Sequence, residues 1–154
     1  MDGGTLTQIV LGLAPGAEQR EQTDRPAVRV AVEHLLPLLR RLRDDERLAF
    51  DMLLDVTAVD WLSEGRFELL YNLFSTVQGH YLMISTMVPR EKPVAPTASV
   101  IWRTAEWQER ELFDLFGILF DDHPDLRRVF LEDDWQGHPL RKDYKDDFML
   151  ELPK

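Results

Sequence analysis

At 154 residues, with 44% apolar and 30% charged side chains, the chain fits one packed domain and is too apolar for wholesale disorder. A formal net charge of −10 repels nucleic-acid phosphates and argues against a DNA- or RNA-binding role. The lack of cysteine removes disulfides, thiolate zinc sites, cysteine nucleophiles and thiolate-held iron–sulfur clusters together.

No apolar run approaches the roughly 20 residues that span a bilayer, and no basic stretch precedes the apolar Ile9, Val10 and Leu11. Neither a membrane span nor a secretory signal is expected, so the cytoplasm is the default compartment. In chain order, Leu6, Ile9, Val10 and Leu13 recur at helical spacing and stop at Pro15 and Gly16, predicting a short first helix. Residues 18–25 read as a loop and residues 26–30 as an edge strand. Leu35, Leu38, Leu39 and Leu42 form an i, i+3, i+4, i+7 stripe, which predicts a core-facing helix. Pro37 is expected in the first turn of that helix, where its missing N–H is harmless.

Residues 48–61 mix β-branched and apolar positions and suit a strand, interrupted by the charges of Asp51, Asp55 and Asp60. Phe67, Leu69, Tyr71 and Leu73 then alternate with polar neighbours at the period of a half-buried strand. Gln78 and Gly79 turn the chain into a second strand with Leu82, Ile84, Thr86 and Val88 on one face, giving a hairpin. Residues 89–96 read as a loop. Thr104 offers an N-cap, Glu106 suits the first helical turn, and Gly117 is a C-terminal stop. Strands followed by a late helix predict an α+β fold: a single domain with a mainly antiparallel sheet, helices packed on one face and an extended C-terminal tail. The expected division is 1–25 N-terminal helix and loop, 26–121 α+β core domain, and 122–154 extended C-terminal interface segment.

Chemistry has few places to reside. No glycine-rich turn has dinucleotide or phosphate-loop spacing. Glu106, Arg110 and Asp114 stand at successive i+4 steps, which predicts a solvated face of ion pairs contributing about 0.2–0.5 kcal/mol each. Glu109 and Glu111 point about 200° apart and cannot act as an acid–base pair. Trp107, Leu112, Phe113, Leu115 and Phe116 carry more apolar bulk than one buried stripe needs, leaving some for a partner. His123 and His138 with Glu132, Asp133 and Asp134 match no standard metal spacing, and His34 and His80 stand alone. No catalytic, cofactor-binding or metal-ligating residue is therefore assigned.

The last fifty residues hold 14 of the 28 acidic side chains and 7 of the 18 basic ones, and residues 139–144 follow neither helical nor strand period. Such a tail needs either another surface or the domain itself to order it. Three blocks within this region carry a resemblance: Trp107 to Ile118 (WQERELFDLFGI), His123 to Arg128 (HPDLRR) and Gly137 to Tyr144 (GHPLRKDY). Together they resemble the 30 kDa subunit family of respiratory complex I, the C-type subunit of NADH-quinone oxidoreductase. Looser similarity at Leu54 to Asp60 and Arg66 to Tyr71 extends it from about Val28 to Tyr144.

The resemblance implies an α+β subunit without flavin or iron–sulfur cluster, peripheral on the cytoplasmic face of the cell membrane. Such a subunit packs on the quinone-site subunit and beside an iron–sulfur subunit, while FMN and iron–sulfur clusters reside in partners. It implies structural and interface roles for Glu109, Arg110, Glu111, Asp114, Gly117, His123, Pro124, Asp125, Arg127, Arg128, Pro139, Arg141, Lys142, Asp143 and Tyr144. Departures occur at Asp122, where glycine commonly precedes the histidine, at Lys145, which replaces a frequent proline, and in the second hairpin strand, which lacks the family's basic residues. The alternatives are the equivalent subunit of a ferredoxin- or F420-dependent complex or membrane-bound hydrogenase, and a stand-alone metal-dependent enzyme using His123.

Overall fold

A computed structural model describes residues 1–149; the last five residues of the predicted tail, 150–154, lie outside the described residues. Helix α1 spans Gly3–Leu11 and is capped by the Asp2 carboxylate, which accepts the Thr5 N–H. Two short strands follow, β1 (Glu18–Gln19) and β2 (Ala27–Arg29), then helix α2 (Val32–Asp44). Strands β3 (Met52–Trp61), β4 (Arg66–Ser75) and β5 (His80–Pro89) form an antiparallel meander. The chain ends its regular structure with β6 (Val94–Pro96), helix α3 (Ala105–Phe116) and β7 (Leu119–Asp121).

The main sheet has the order β1-β2-β5-β4-β3, with β2 parallel to β5 and the other pairs antiparallel. The expected edge strand at residues 26–30 is therefore an interior one. Its Ala27 and Val28 are buried, the Pro26 carbonyl accepts the Met83 N–H, and Pro26 precedes the first residue that must donate. Two segments read as loops contain strands, because β1 and the β6–β7 pair are only two or three residues long and carry no periodic signal.

Leu35, Leu38, Leu39 and Leu42 of α2 are all buried against the sheet, each contributing roughly 2 kcal/mol by burial. Pro37 does not lie in the first turn of α2 but in its second. The helix survives because the missing N–H frees only the Glu33 carbonyl, on an exposed face where water serves it. The stripes Phe67, Leu69, Tyr71, Leu73 of β4 and Leu82, Ile84, Thr86, Val88 of β5 face this same core. Leu6 and Val10 of α1 and Leu112 and Phe116 of α3 join it, giving one cluster.

The acids that blurred β3 each have a partner. Asp51 accepts the Thr76 N–H at 2.8 Å, Asp55 accepts the Asn72 amide at 2.8 Å, and buried Asp60 is held by Arg90. β3 is also the sheet's edge, and α3 covers it. At the register shift between Leu53 and Asp55, the Gln108 amide accepts the Val56 N–H at 2.6 Å and donates to the Leu54 carbonyl at 3.3 Å. On the opposite face of the sheet, Glu68 is fully buried beneath Arg20, Arg29 and the Trp61 indole. Burial alone would raise its pKa, but these donors outweigh it and hold the carboxyl below the usual range.

Candidate functional site

Helix α3 occupies the predicted position, but its charges turn inward. Thr104 stands at the N-cap without capping; its hydroxyl donates instead to the Leu53 carbonyl at 3.4 Å. Glu109, Arg110 and Asp114 are buried while Glu111 is exposed. The expected solvated i+4 face is overturned, because the segment after β7 offers these groups better partners than the helix does. Arg110 donates to the carbonyls of Arg127 and Arg128 at 3.2 and 3.3 Å and lies over the Trp107 ring at 4.5 Å. Asp114 accepts Arg128 at 2.7 Å and the successive backbone N–H groups of Val129, Phe130 and Leu131 at 3.0, 2.8 and 3.0 Å. Burial pushes the Asp114 pKa up, but the Arg128 bond and three amides prevail and hold it below its ordinary value.

Among the described residues, nothing after β7 forms a helix or strand, yet the segment is tied down at nearly every step. A helix leaves its last carbonyls without intrahelical donors. Here the tail provides those donors from 14 to 25 residues further along the chain: Arg128 and His138 Nδ1 donate to the Asp114 carbonyl, the Leu140 N–H to that of Leu115, and Arg141 Nε to that of Phe116 at 2.6 Å. Two guanidinium groups thus sit at the negative end of the helix dipole. Further on, Asp60 accepts the Lys142 N–H at 2.9 Å, and Arg90 bridges Asp60 and Asp143 at 2.8 and 2.7 Å. Tyr144 donates to Asp146, and its ring packs beside Gly137.

The imidazoles of His123 and His138 are committed to the backbone. His123 accepts the Asp125 N–H at Nδ1 (3.0 Å), so Nε2 carries the proton and donates to the Glu106 carbonyl (2.9 Å). Among the described residues, no group of three or more His, Asp or Glu is placed to hold a metal ion. His80 Nε2 donates to the Leu48 carbonyl at 2.8 Å, and its ring packs on Phe50. No described helix is long and apolar enough to cross a membrane.

Of the signature positions, Arg110, Asp114, Gly117, His123, Arg128 and Arg141 act inside the α3–tail joint, whereas Glu109 is turned to Thr97 and the Ala98 N–H. Asp143 and Tyr144 hold the tail from its outer side, Arg127 pairs with Asp125 at the surface, and Glu111, Pro124 and Lys142 are exposed. Pro139 is half-buried. Asp122 adopts φ 63°, the left-handed region glycine favours, which accounts for the glycine common at that position in the resembled family. Sequence reasoning missed Arg90, Asp60 and Gln108, whose partners lie up to 82 residues away. It also missed the outward display of Phe130 (64% exposed), Leu140 (51%) and Trp135 (38%), while Trp107, one of the bulky α3 side chains from which some were expected to remain for a partner, is 60% exposed.

Gly117 joins the two halves of the site. Its φ is 75°, and a Cβ there would lie 2.6 Å from the His138 ring. Gly117→Ala is expected to cost about 1–3 kcal/mol and to loosen His138 from the helix end, read as a lowered Tm together with faster exchange of the Leu140 amide.

Comparison with known proteins gives the family and the fold. Residues 28–147 match the family described as "Respiratory-chain NADH dehydrogenase, 30 Kd subunit". The NADH-quinone oxidoreductase C subunit of Moorella thermoacetica is 41% identical over 133 residues, 86% of this chain and 88% of that relative. The Geobacter sulfurreducens C subunit is 44% identical, covering 81% of this chain and 77% of its own length. The chain spans about half the length of the Mycobacteroides abscessus relative, 54%, at 41% identity. Among solved structures, a chain of the archaeal membrane-bound sulfane sulfur reductase, a respiratory membrane complex, superimposes with TM-score 0.79 and 31% identity over 93% of this chain and 85% of that one. A trypsin-resistant fragment of Nqo5 gives TM-score 0.58 and 27% identity over 80% and 97%. With the family match covering strands β3 to β5, helix α3 and the braced tail, the chain belongs to the 30 kDa subunit family of respiratory-chain NADH dehydrogenase, that of the NADH-quinone oxidoreductase C subunit.

Proposed function

We propose that the chain is a cofactor-free structural subunit of a proton-translocating NADH-quinone oxidoreductase. It docks on the quinone-site subunit beside an iron–sulfur subunit, at the cytoplasmic face of the membrane. Flavin and iron–sulfur clusters belong to the partners in this reading, and residues 122–154 form the interface segment on a core of 26–121. The observation that carries it is the division of labour around α3. Buried Arg110 and Asp114, with half-buried Arg128 and Arg141, are spent on fixing an irregular segment, while Phe130, Trp135, Leu140 and Trp107 are left facing outward. Ordering such a segment costs conformational entropy, and a rigidly presented apolar surface lowers the cost of binding a partner.

The likeness to a chain of the sulfane sulfur reductase complex favours a second reading, the equivalent subunit of a related membrane-bound oxidoreductase. Co-purification of the tagged chain in mild detergent separates the two. Recovery with flavin and iron–sulfur subunits and NADH:quinone activity is the expected result. Recovery with a complex lacking NADH oxidation would establish the second reading, and recovery of the chain alone would overturn both.

A further inference from the structure

One buried carboxylate takes no part in bracing the tail. Glu109 is fully buried, and its only hydrogen-bond donors among the described residues are the Thr97 hydroxyl, 2.6 Å from Oε2, and the Ala98 N–H, 2.7 Å from Oε1. Among the described residues no Lys or Arg pairs with it. On its own helix, Arg110 is turned to the Arg127 and Arg128 carbonyls and approaches Asp125 at 3.9 Å, and Glu106 contributes a carbonyl to His123. From the segment after β7, His123 approaches at 3.8 Å, but its Nδ1 is held unprotonated by the Asp125 N–H. From β4, Tyr71 presents a buried phenol with no hydrogen-bond partner among the described residues, pushed up first by burial and then by the charge of Glu109. The 97–99 turn contributes two hydroxyls and the Ala98 N–H, and no charged side chain.

Those hydroxyls are in line. Thr97 Oγ1 lies 2.6 Å from Ser99 Oγ and also accepts the Ser99 N–H at 3.1 Å; Ser99 is half-buried, next to exposed Val100. We propose that Glu109, Thr97 and Ser99 form a proton-binding site served by a hydroxyl relay to solvent. In the ionised state Ser99 donates to Thr97 and Thr97 to Glu109 Oε2. A proton arriving from water on Ser99 Oγ displaces the Ser99 proton onto Thr97, and the Thr97 proton onto Oε2. The product is a neutral carboxylic acid donating to Thr97, with both hydroxyls reversed; one proton has entered and no hydroxyl is consumed. Burial without a countercharge favours this neutral form, so the carboxyl, whose ordinary value is 4.5, is pushed up to about 7. The proposal rests on this cluster and is independent of the docking role.

The test uses the full chain labelled with ¹³C at the glutamate carboxyls. One carboxyl resonance is expected to titrate near pH 7 and to be absent in Glu109→Gln. Should that variant not fold, Thr97→Val identifies the same signal by moving its midpoint upward, since a donor to the charged form is lost. In Ser99→Ala the midpoint stays near 7 while proton exchange at the carboxyl slows at least several-fold. Between the ordinary value and about 7, the folded chain holds a proton that the unfolded chain releases, so wild-type Tm falls as pH rises across that window. Titration of no glutamate above the ordinary range would overturn the site, and unchanged exchange in Ser99→Ala would overturn the relay.

Discussion

Asp114→Ala is expected to cost about 3–5 kcal/mol, on the order of 10 °C in Tm for a chain of this size. The substitution leaves Arg128 without its carboxylate and strands the N–H groups of Val129, Phe130 and Leu131 in a joint with no replacement acceptor. Limited proteolysis should then cut within residues 122–149 while β4 and β5 remain protected. Asp114→Asn keeps the volume and one acceptor and should lose roughly half as much. The pH dependence has a definite sign. The folded carboxyl sits below its ordinary value of 3.8, so its contribution is full above that value and is lost as pH falls through the lower, folded one. The gap between wild type and Asp114→Asn should therefore close in acid. A double-mutant cycle with Arg128→Ala should be strongly non-additive, because either change alone breaks the same pair.

Phe130→Asp should do the opposite, leaving the isolated chain almost untouched and disabling assembly. The Phe130 side chain points to solvent, and only its backbone N–H serves Asp114, so the fold should change by no more than about 0.5 kcal/mol. A large aromatic at the centre of a docking surface is commonly worth about 2 kcal/mol or more, roughly a 30-fold loss in affinity. A charge placed there adds a desolvation cost. Competition between wild-type and Phe130→Asp chains for incorporation into the complex would read this directly. Val77→Asp is the matched control: Val77 is 74% exposed in the β4–β5 turn, away from the tail. Equal incorporation of wild type, Phe130→Asp and Val77→Asp would remove the tail from the interface.

Much of the fold was legible because its longer elements follow simple periods. The leucine stripe of α2, the alternation in β4 and β5 and the stop at Gly117 each reflect one buried face or one left-handed residue. The failures share a different cause. β1, β6 and β7 are too short to repeat, and β2 is an interior strand because β1 and β5 flank it, a fact not encoded in its own residues. Pro37 sits a turn later than its chemistry suggests, since the cost of a proline depends on whether water reaches the freed carbonyl. At the site, the identities of Arg110, Asp114, Arg128 and Arg141 were readable through family resemblance, but their direction was not. Local spacing predicted i+4 pairs on a wet face, whereas the carbonyls at the end of α3 and the amides of 129–131 compete more effectively for the same groups. Such long-range backbone partners leave no periodic trace.

Hydroxyl-radical footprinting of the free chain and of the chain within the assembled complex tests the docking surface most directly. Trp107, Phe130, Trp135 and Leu140 are expected to be modified readily in the free chain and protected several-fold or more on assembly, with Val77 equally reactive in both states. Unchanged reactivity at those four residues, with protection appearing elsewhere, would contradict a tail that is braced from within in order to dock.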